Sequence, residues 1–581
     1  MPEKNFIYTK KDYVLISLLL IVYSIIALYN LGSLKAPETY WQNTNSGETF
    51  TTDLGEIKAL GRVYYYGGLG EGKYRLDFSR DAATWKTGPT IQKKNIFVWE
   101  YITVDTPARY IKFTAESQGA ALNELGVFTS QGAKPLVVKS VIPGKISPLT
   151  KGRPEYLFDE QDTIPSRPSF YNGMFFDEIY HARTAYEYLR LIEPYETSHP
   201  PLGKLLIALG ISLFGMNPFG WRIVGTLFGA AMIFVMYLFG RRLFQKPEYA
   251  FICALLMALD FMHFVQTRIA TIEVFAVFFI ILMYYFMYKY YVMNLQPTEF
   301  KKSLVPLGLS GLTFGLGAAC KWSSILAGMG LAVIFLAASV NRYRHEANAN
   351  RRKKTGETKR NRILFMSISW GIVFFIIVPL FIYFLSYIPL MMVPGEQGLK
   401  TILVYQQHML NYHKNLVATH PFASTWWEWP IIKKPMWYYS GQDYLPPGKI
   451  SSIAAMGNPA VWWVGIAAVI ASLVISLSEK NKKMFVVLAG LASVYLPWVF
   501  VSRLAFIYYF FASVPFVILC ITFIISRLVE RNPRLKPWIY GYLSLAGIMF
   551  IMFYPILSGL VVSKTYAATF LRWFQGWYFF S

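Results

Sequence analysis

The sequence predicts a mainly α-helical, polytopic membrane protein, a bundle of about eleven transmembrane helices with interfacial helices and an inserted outer β-sandwich. Three observations carry that prediction. Of 581 residues, 54% are hydrophobic and only 15% are charged, against about a quarter charged in a soluble domain. About eleven apolar stretches are long enough to cross a hydrocarbon core of roughly 30 Å. Basic clusters alternate with those stretches as the positive-inside rule requires, so the net charge of +23 reads as membrane topology and not as nucleic-acid binding. The three cysteines, Cys253, Cys320 and Cys520, lie in apolar runs, which excludes a disulfide framework and a Cys-rich zinc site.

In chain order the spans fall near 12–31, 219–240, 249–266, 270–289, 303–320, 323–340, 363–389, 459–478, 484–502, 505–525 and 537–560. Lys4, Lys10 and Lys11 place the N-terminus inside, and every even-numbered span then ends at a basic cluster: Arg241/Arg242, Lys289, Arg342 to Arg362, Lys480 to Lys483, and Arg527 to Lys536. The first apolar run exceeds a signal-peptide h-region and lacks a clear cleavage site, so it is read with residues 1–31 as a retained anchor.

The same parity puts 32–218, 390–458 and the C-terminus outside. Residues 38–135 contain alternating runs (61–66, 74–78, 109–113) between Gly and Asp turns, the pattern of a small β-sandwich. Residues 136–172, rich in Pro, Lys and Ser, read as a linker to a membrane domain over 173–581. Helical spacing begins after Phe176, with Ile179, Ala182, Tyr186 and Leu189 on one face and Glu178, Arg183, Glu187 and Arg190 largely on others, as in an interfacial helix. Leu202 to Phe214 is apolar but short for a span and reads as a re-entrant or surface-lying helix.

Charges at the outer ends of spans are not called for by topology. Asp177 and Glu178 open the interfacial helix, His199 and Lys204 flank Pro200-Pro201, and Arg222 starts the second span. Arg268 and Glu273 sit between the third and fourth spans, Lys321 between the fifth and sixth, and Arg503 between the ninth and tenth. A single such cation can snorkel to head groups, whereas five on one outer face point to a bound anion, of which a lipid-linked phosphate is the natural case. A carboxylate pair beside it suits acid/base work on the head group, although Asp177 also reads as an N-cap and Glu178 as a first-turn acid. His420 to Pro430, with Trp426 and Trp427, and the later Trp437 offer aromatic planes that suit sugar rings or an interfacial belt. No nucleotide-binding or metalloprotease motif occurs in a convincing context.

These residues resemble the protein O-mannosyltransferases, of the GT-C glycosyltransferase class, over about 170 to 581. The carriers are Phe176-Asp177-Glu178 with His181, His199-Pro200-Pro201-Leu202-Gly203-Lys204, Trp221-Arg222 leading to Gly225 and Gly229, and Arg268-Ile269-Ala270 with the acid at 273. Lys321-Trp322-Ser323-Ser324, His420 to Tyr439, Gly457-Asn458-Pro459 with Trp462-Trp463, and Arg503 with Phe506-Ile507-Tyr508-Tyr509 complete the set. The resemblance implies a GT-C bundle and inverting transfer of a sugar, with mannose the expected one, from a polyprenyl phosphate to a Ser or Thr hydroxyl, with no cofactor or metal. It implies Asp177 as general base, Glu178 as its neighbour in placing acceptor or sugar, and Arg222 as a donor-phosphate ligand. Arg268, Lys321, Arg503, His199 and Lys204 are further phosphate candidates, and Glu273, His420, Trp426, Trp427 and Trp437 are candidates for acceptor or sugar.

Three departures stand out. Glu273 stands where the family usually has Asp, the outer loop lacks the β-trefoil insert of eukaryotic members, which points to a prokaryotic cell membrane, and the 38–135 module is extra. Its Asp53-Leu54-Gly55-Glu56, Phe78 to Trp85, Ala108-Arg109-Tyr110 and Leu122 to Leu125 resemble a discoidin-like sandwich, whose role is either glycan or lipid binding or purely structural. Expected partners are membrane lipid, the polyprenyl-phosphate sugar and an acceptor protein or glycan, with no nucleic acid. Competing readings are a glycosyltransferase for lipid or wall glycan, a flippase of lipid-linked sugar, which would show repeated broken spans, and a sugar-binding anchor, which would not need ten further spans.

Overall fold

The computed structural model describes residues 8–295, 299–349, 355–396 and 398–580. Among these, ten helical segments are long and apolar enough to cross a membrane. They are α1 (Lys10–Leu28), α4 (Pro218–Phe244), α7 (Glu273–Asn294), α8 (Phe300–Cys320), α9 (Ser323–Glu346), α10 (Asn361–Ser386), α12 (Pro459–Ser478), α13 (Lys482–Phe500), α14 (Ile507–Arg531) and α15 (Pro533–Ser558). Between them run α2 (Glu178–Arg190), α3 (Leu202–Phe214), α5 (Pro247–Ala258), α6 (Phe261–Gln266) and α11 (Leu399–Asn415). α7 and α14 form the enclosed centre, and α10 and α15 the periphery. The expected inner basic loop lies partly outside the described residues, at 350–354.

The expected span at 249–266 is broken, which corrects the count of eleven uninterrupted spans. Asp260 ends α5 and caps α6, its Oδ1 accepting the His263 N–H at 3.0 Å and its Oδ2 the Trp462 Nε1–H at 2.8 Å. A buried carboxylate needs such donors, and meeting them interrupts the helix. α3 has 13 residues, about 20 Å at 1.5 Å per residue, too short to span. Gly229 lets α4 press on the segment before Arg268, since a Cβ there would lie 2.6 Å from Thr267 Cβ.

The β domain is one curled antiparallel sheet. Its strands are β1 (Trp41–Gln42), β2 (Thr49–Gly67), β3 (Gly72–Ser79), β4 (Lys86–Lys93), β5 (Trp99–Ala115), β6 (Ala121–Thr129), β7 (Ser140–Pro143) and β8 (Lys151–Gly152), in the order β4-β3-β5-β2-β6-β1-β8 with β7 paired to β2. Register shifts between Asp53 and Lys58 and between Leu60 and Arg62 bend the long β2, so the sheet curls over a core that includes Trp41, Phe50, Tyr74, Ile111 and Phe113. All three alternating runs form strands. The segment 136–172 is more than a linker, because β7 and β8 join the sheet and three 3₁₀ turns follow. The domain meets α2 where Phe97 packs edge-on against Tyr186, ring centroids 5.5 Å apart.

α2 forms where its spacing placed it, with a different buried face. Glu178, His181, Ala182, Thr184, Ala185, Glu187 and Tyr188 are buried, while Leu189 is exposed. Apolar periodicity points to the core only when the core is apolar. Here the helix faces a polar site.

Candidate active site

The site begins at a strained joint before α2. Phe176 has a left-handed backbone, φ 50°, a conformation that costs a bulky residue and clusters at functional positions. Its ring lies flat on Tyr438 at 4.0 Å, which holds the joint. Asp177 follows in helical geometry, and its side chain makes no capping hydrogen bond. Capping therefore does not account for it. Asp177 instead shares a charge field with Glu273, Lys321 and Glu196, and burial together with the negative Glu273 pushes its carboxyl up to about 7 against the opposing pull of Lys321.

Lys321, just past the end of α8, pairs with Glu273 Oε1 at the start of α7, its Nζ 5.2 Å from the Tyr509 ring centroid. Glu273 Oε2 is buried without a hydrogen-bond partner, a free acceptor facing this group. His199 Nδ1 lies 3.0 Å from Glu196 Oε1, and the His199 ring is 5.9 Å from that of His181 and 5.4 Å from that of His413. Burial holds His413 down at about 4 and His181 at about 3, so both are neutral imidazoles. Arg503 forms no ion pair with a carboxylate among the described residues. It lines a cavity of about 310 Å³ together with His199, Lys321, Trp322, His413 and Tyr509. That cavity shares Ile325 with an apolar groove of about 480 Å³ between α8, α9 and α10, whose walls include the exposed Met329, Ile368, Ile372 and Ile376.

Three of the expected phosphate ligands are occupied otherwise. Arg222 is fully buried, and its five N–H groups all donate to protein: Nε and Nη2 to Glu178 at 2.7 Å, Nη1 to the Leu31 and Phe170 carbonyls at 2.9 Å, and Nη2 also to Gly173 O at 2.9 Å. No donor is left for a phosphate. Glu178, expected beside the reacting groups, is likewise fully buried and also accepts from Ala270 N at 3.1 Å and Phe175 N at 3.2 Å. Together they tie α2, α4 and the 170–175 segment. Arg268 spends three donors on the Ala27, Tyr29 and Asn30 carbonyls at the end of α1. Lys204, fully buried, pairs with Glu196 and donates to the Glu196 and His199 carbonyls at 2.9 and 3.0 Å.

The aromatic candidates do not form one platform. Trp426 packs on Tyr495, and Trp427 is half exposed beneath Lys433 and borders a separate apolar groove. Trp437 donates to Ser452 Oγ at 2.7 Å and meets Phe422, which also meets His420. His420 packs on Phe506, and Phe506 stacks on Tyr508, one residue before Tyr509.

Two family models match. "Dolichyl-phosphate-mannose-protein mannosyltransferase" covers residues 198–350 and the "C-terminal four TMM region of protein-O-mannosyltransferase" covers residues 399–577. The chain belongs to the protein O-mannosyltransferase family, in the GT-C class. It is 26% identical over 435 residues to a polyprenol-phosphate-mannose–protein mannosyltransferase of Corynebacterium glutamicum, covering 65% of this chain and 81% of the relative. A protein of the same name from Mycobacterium tuberculosis is 24% identical over 422 residues, covering 63% of this chain and 78% of that one. The fold is similar to the Saccharomyces cerevisiae protein O-mannosyltransferase Pmt1-Pmt2 complex bound to the sugar donor, with a TM-score of 0.58 and 14% identity over 69% of this chain and 89% of that one.

Within this family member, sequence reasoning missed Glu196, which orients His199 and neutralises Lys204, and His413. A carboxylate three residues before His199 is a readable signal. His413 lies on α11, whose polar face gives no local reason to single it out. Only folding lays that helix beside Ser198, whose carbonyl lies 2.9 Å from His413 Nε2.

Proposed function

We propose that this chain is a membrane mannosyltransferase that carries mannose from a polyprenyl phosphate to a Ser or Thr hydroxyl of an exported protein. The polyprenol-phosphate-mannose–protein mannosyltransferases among its relatives support the chemistry. The observation that carries the site assignment is the cavity lined by Arg503, Lys321 and His199, which shares Ile325 with an exposed apolar groove, together with the Asp177 carboxylate, which feels the Lys321 charge and is free of any capping task. In this reading the prenyl tail lies in the groove between α8, α9 and α10, and the phosphate sits between Arg503 and Lys321. The acceptor oxygen attacks the anomeric carbon, the bond from that carbon to the phosphate oxygen breaks, and Asp177 takes the hydroxyl proton. The two cations stabilise the charge that develops on the departing polyprenyl phosphate. One displacement inverts the anomeric centre. The donor is already activated, so the reading calls for no cofactor.

Arg503→Ala tests the assignment. A charge-assisted contact to phosphate is worth about 1.5–3 kcal/mol, so donor affinity should fall by about 10- to 100-fold. Arg534→Ala, in an exposed turn at the other end of the bundle, should leave it unchanged. Equal donor affinity in the two variants removes Arg503 from the site.

We also propose that the site, the β domain and the C-terminus face outward from a prokaryotic cell membrane, a reading supported by the basic clusters at Arg241/Arg242, Lys480 to Lys483 and Arg527 to Lys536 and by the bacterial relatives. All three native cysteines are buried. An impermeant thiol reagent applied to intact cells should therefore label Thr84→Cys and spare Lys483→Cys, and the reverse pattern overturns the orientation.

A further inference from the structure

A second cavity, of about 170 Å³, lies where the β domain meets the outer end of α2. It is smaller than the roughly 300–1,000 Å³ of drug-sized sites and on the scale of one sugar ring. Its walls come from both parts of the chain. Tyr40, Phe97 and Asn123 belong to the β domain, Tyr186 and Arg190 to α2, and Lys151 to β8.

Three kinds of group converge here. Tyr40, Phe97 and Tyr186 supply aromatic rings, and Phe97 is held in a left-handed backbone, φ 51°, by its contact with Tyr186 and by the bond from its N–H to Gly67 O at 2.5 Å. Asn123, 6% exposed, keeps its Oδ1 without a hydrogen-bond partner, a deficit that a hydroxyl donor would repair. Gly68 makes room beside it, since a Cβ there would sit 2.3 Å from Asn123 Oδ1. Lys151 and Arg190 are exposed at the rim and pair with no carboxylate among the described residues, and the Arg190 guanidinium lies 5.3 Å from the Tyr186 ring centroid.

We propose that this cavity binds an acidic saccharide, a sugar ring that carries a carboxylate or phosphate. The C–H faces of the ring pack on Tyr40 and Tyr186, a ring hydroxyl donates to Asn123 Oδ1, and Lys151 and Arg190 receive the anionic group. The assignment uses none of the donor-site residues and stands or falls apart from them. Its place gives it a use, because α2 opens at Asp177. A chain or polymer held at Tyr186 and Arg190 is held on the helix that carries the proposed base.

The test uses the full chain in nanodiscs and measures binding of glucuronate, mannose 6-phosphate and mannose by titration calorimetry and saturation-transfer NMR, with no lipid donor present. At least one anionic sugar should bind saturably and more tightly than mannose. Lys151→Gln combined with Arg190→Gln changes only exposed side chains and should reduce that affinity by about tenfold or more. Tyr186→Ser, checked for an unchanged melting temperature, should remove binding of all three sugars; if it melts early, Tyr40→Ser replaces it. No saturable binding, mannose bound as tightly as the anionic sugars, or affinity untouched by the double variant each overturns the proposal.

Discussion

Asp177→Asn is expected to reduce turnover by about 10² to 10⁴, the usual contribution of a general base, while melting temperature and donor affinity stay unchanged. Stability is spared because the Asp177 side chain makes no capping bond that the amide would have to replace. The wild-type enzyme should carry the same carboxyl in its pH profile. Burial and Glu273 raise it to about 7, and a base works only when ionised, so kcat/KM should fall as pH drops through about 7 and level off above it. Turnover of the Asn variant near wild type, with that acidic limb still present, would pass the role to another group. Glu273 comes next, because its Oε2 is buried without a partner.

Arg222→Ala should act on folding and not selectively on the donor. The substitution strands the fully buried Glu178 carboxylate and three backbone carbonyls that Arg222 serves, and breaking a buried pair on one side typically costs about 3–5 kcal/mol. A large drop in melting temperature and poor recovery of inserted protein are the expected readouts. Arg222→Lys should rescue little, because one ammonium has three donors where the guanidinium uses five. The Glu178→Gln/Arg222→Met double variant should be more stable than Arg222→Ala, since neither charge is then left alone. An Arg222→Ala protein that melts like wild type and loses donor affinity alone would return Arg222 to the phosphate site.

This distinction explains how much of the site could be read beforehand. Local chemistry marked the charges at span ends as unusual, because an Arg, Lys or Glu there is expensive wherever it lies. Local chemistry could not say which of them satisfy one another. Arg222 and Glu178 are 44 residues apart, and Lys321 and Glu273 are 48 apart. Arg503 was one cation among five, and what distinguishes it is that no carboxylate reaches it among the described residues.

The helical spans and the strands of the β domain were legible for a simpler reason. An apolar run of about twenty residues and a period-two alternation record the solvent that each segment meets. The break at Asp260 was hidden inside an apolar run, since one Asp shifts its average little.

The sequence by itself determined that this protein lives in a membrane, roughly where most of its spans lie, which charges at the span ends are unusual and which family its motifs resemble. Those properties follow from local composition and from spacing along the chain. The tertiary structure alone decided that Glu178, Arg222, Lys204 and Arg268 are spent on protein partners, while His199, Lys321 and Arg503 line one cavity and Asp177 sits in the charge field of Lys321 and Glu273. The reason is physical: a buried charge is spent or available according to the partners that distant segments bring to it, and pairing of that kind is a property of the fold.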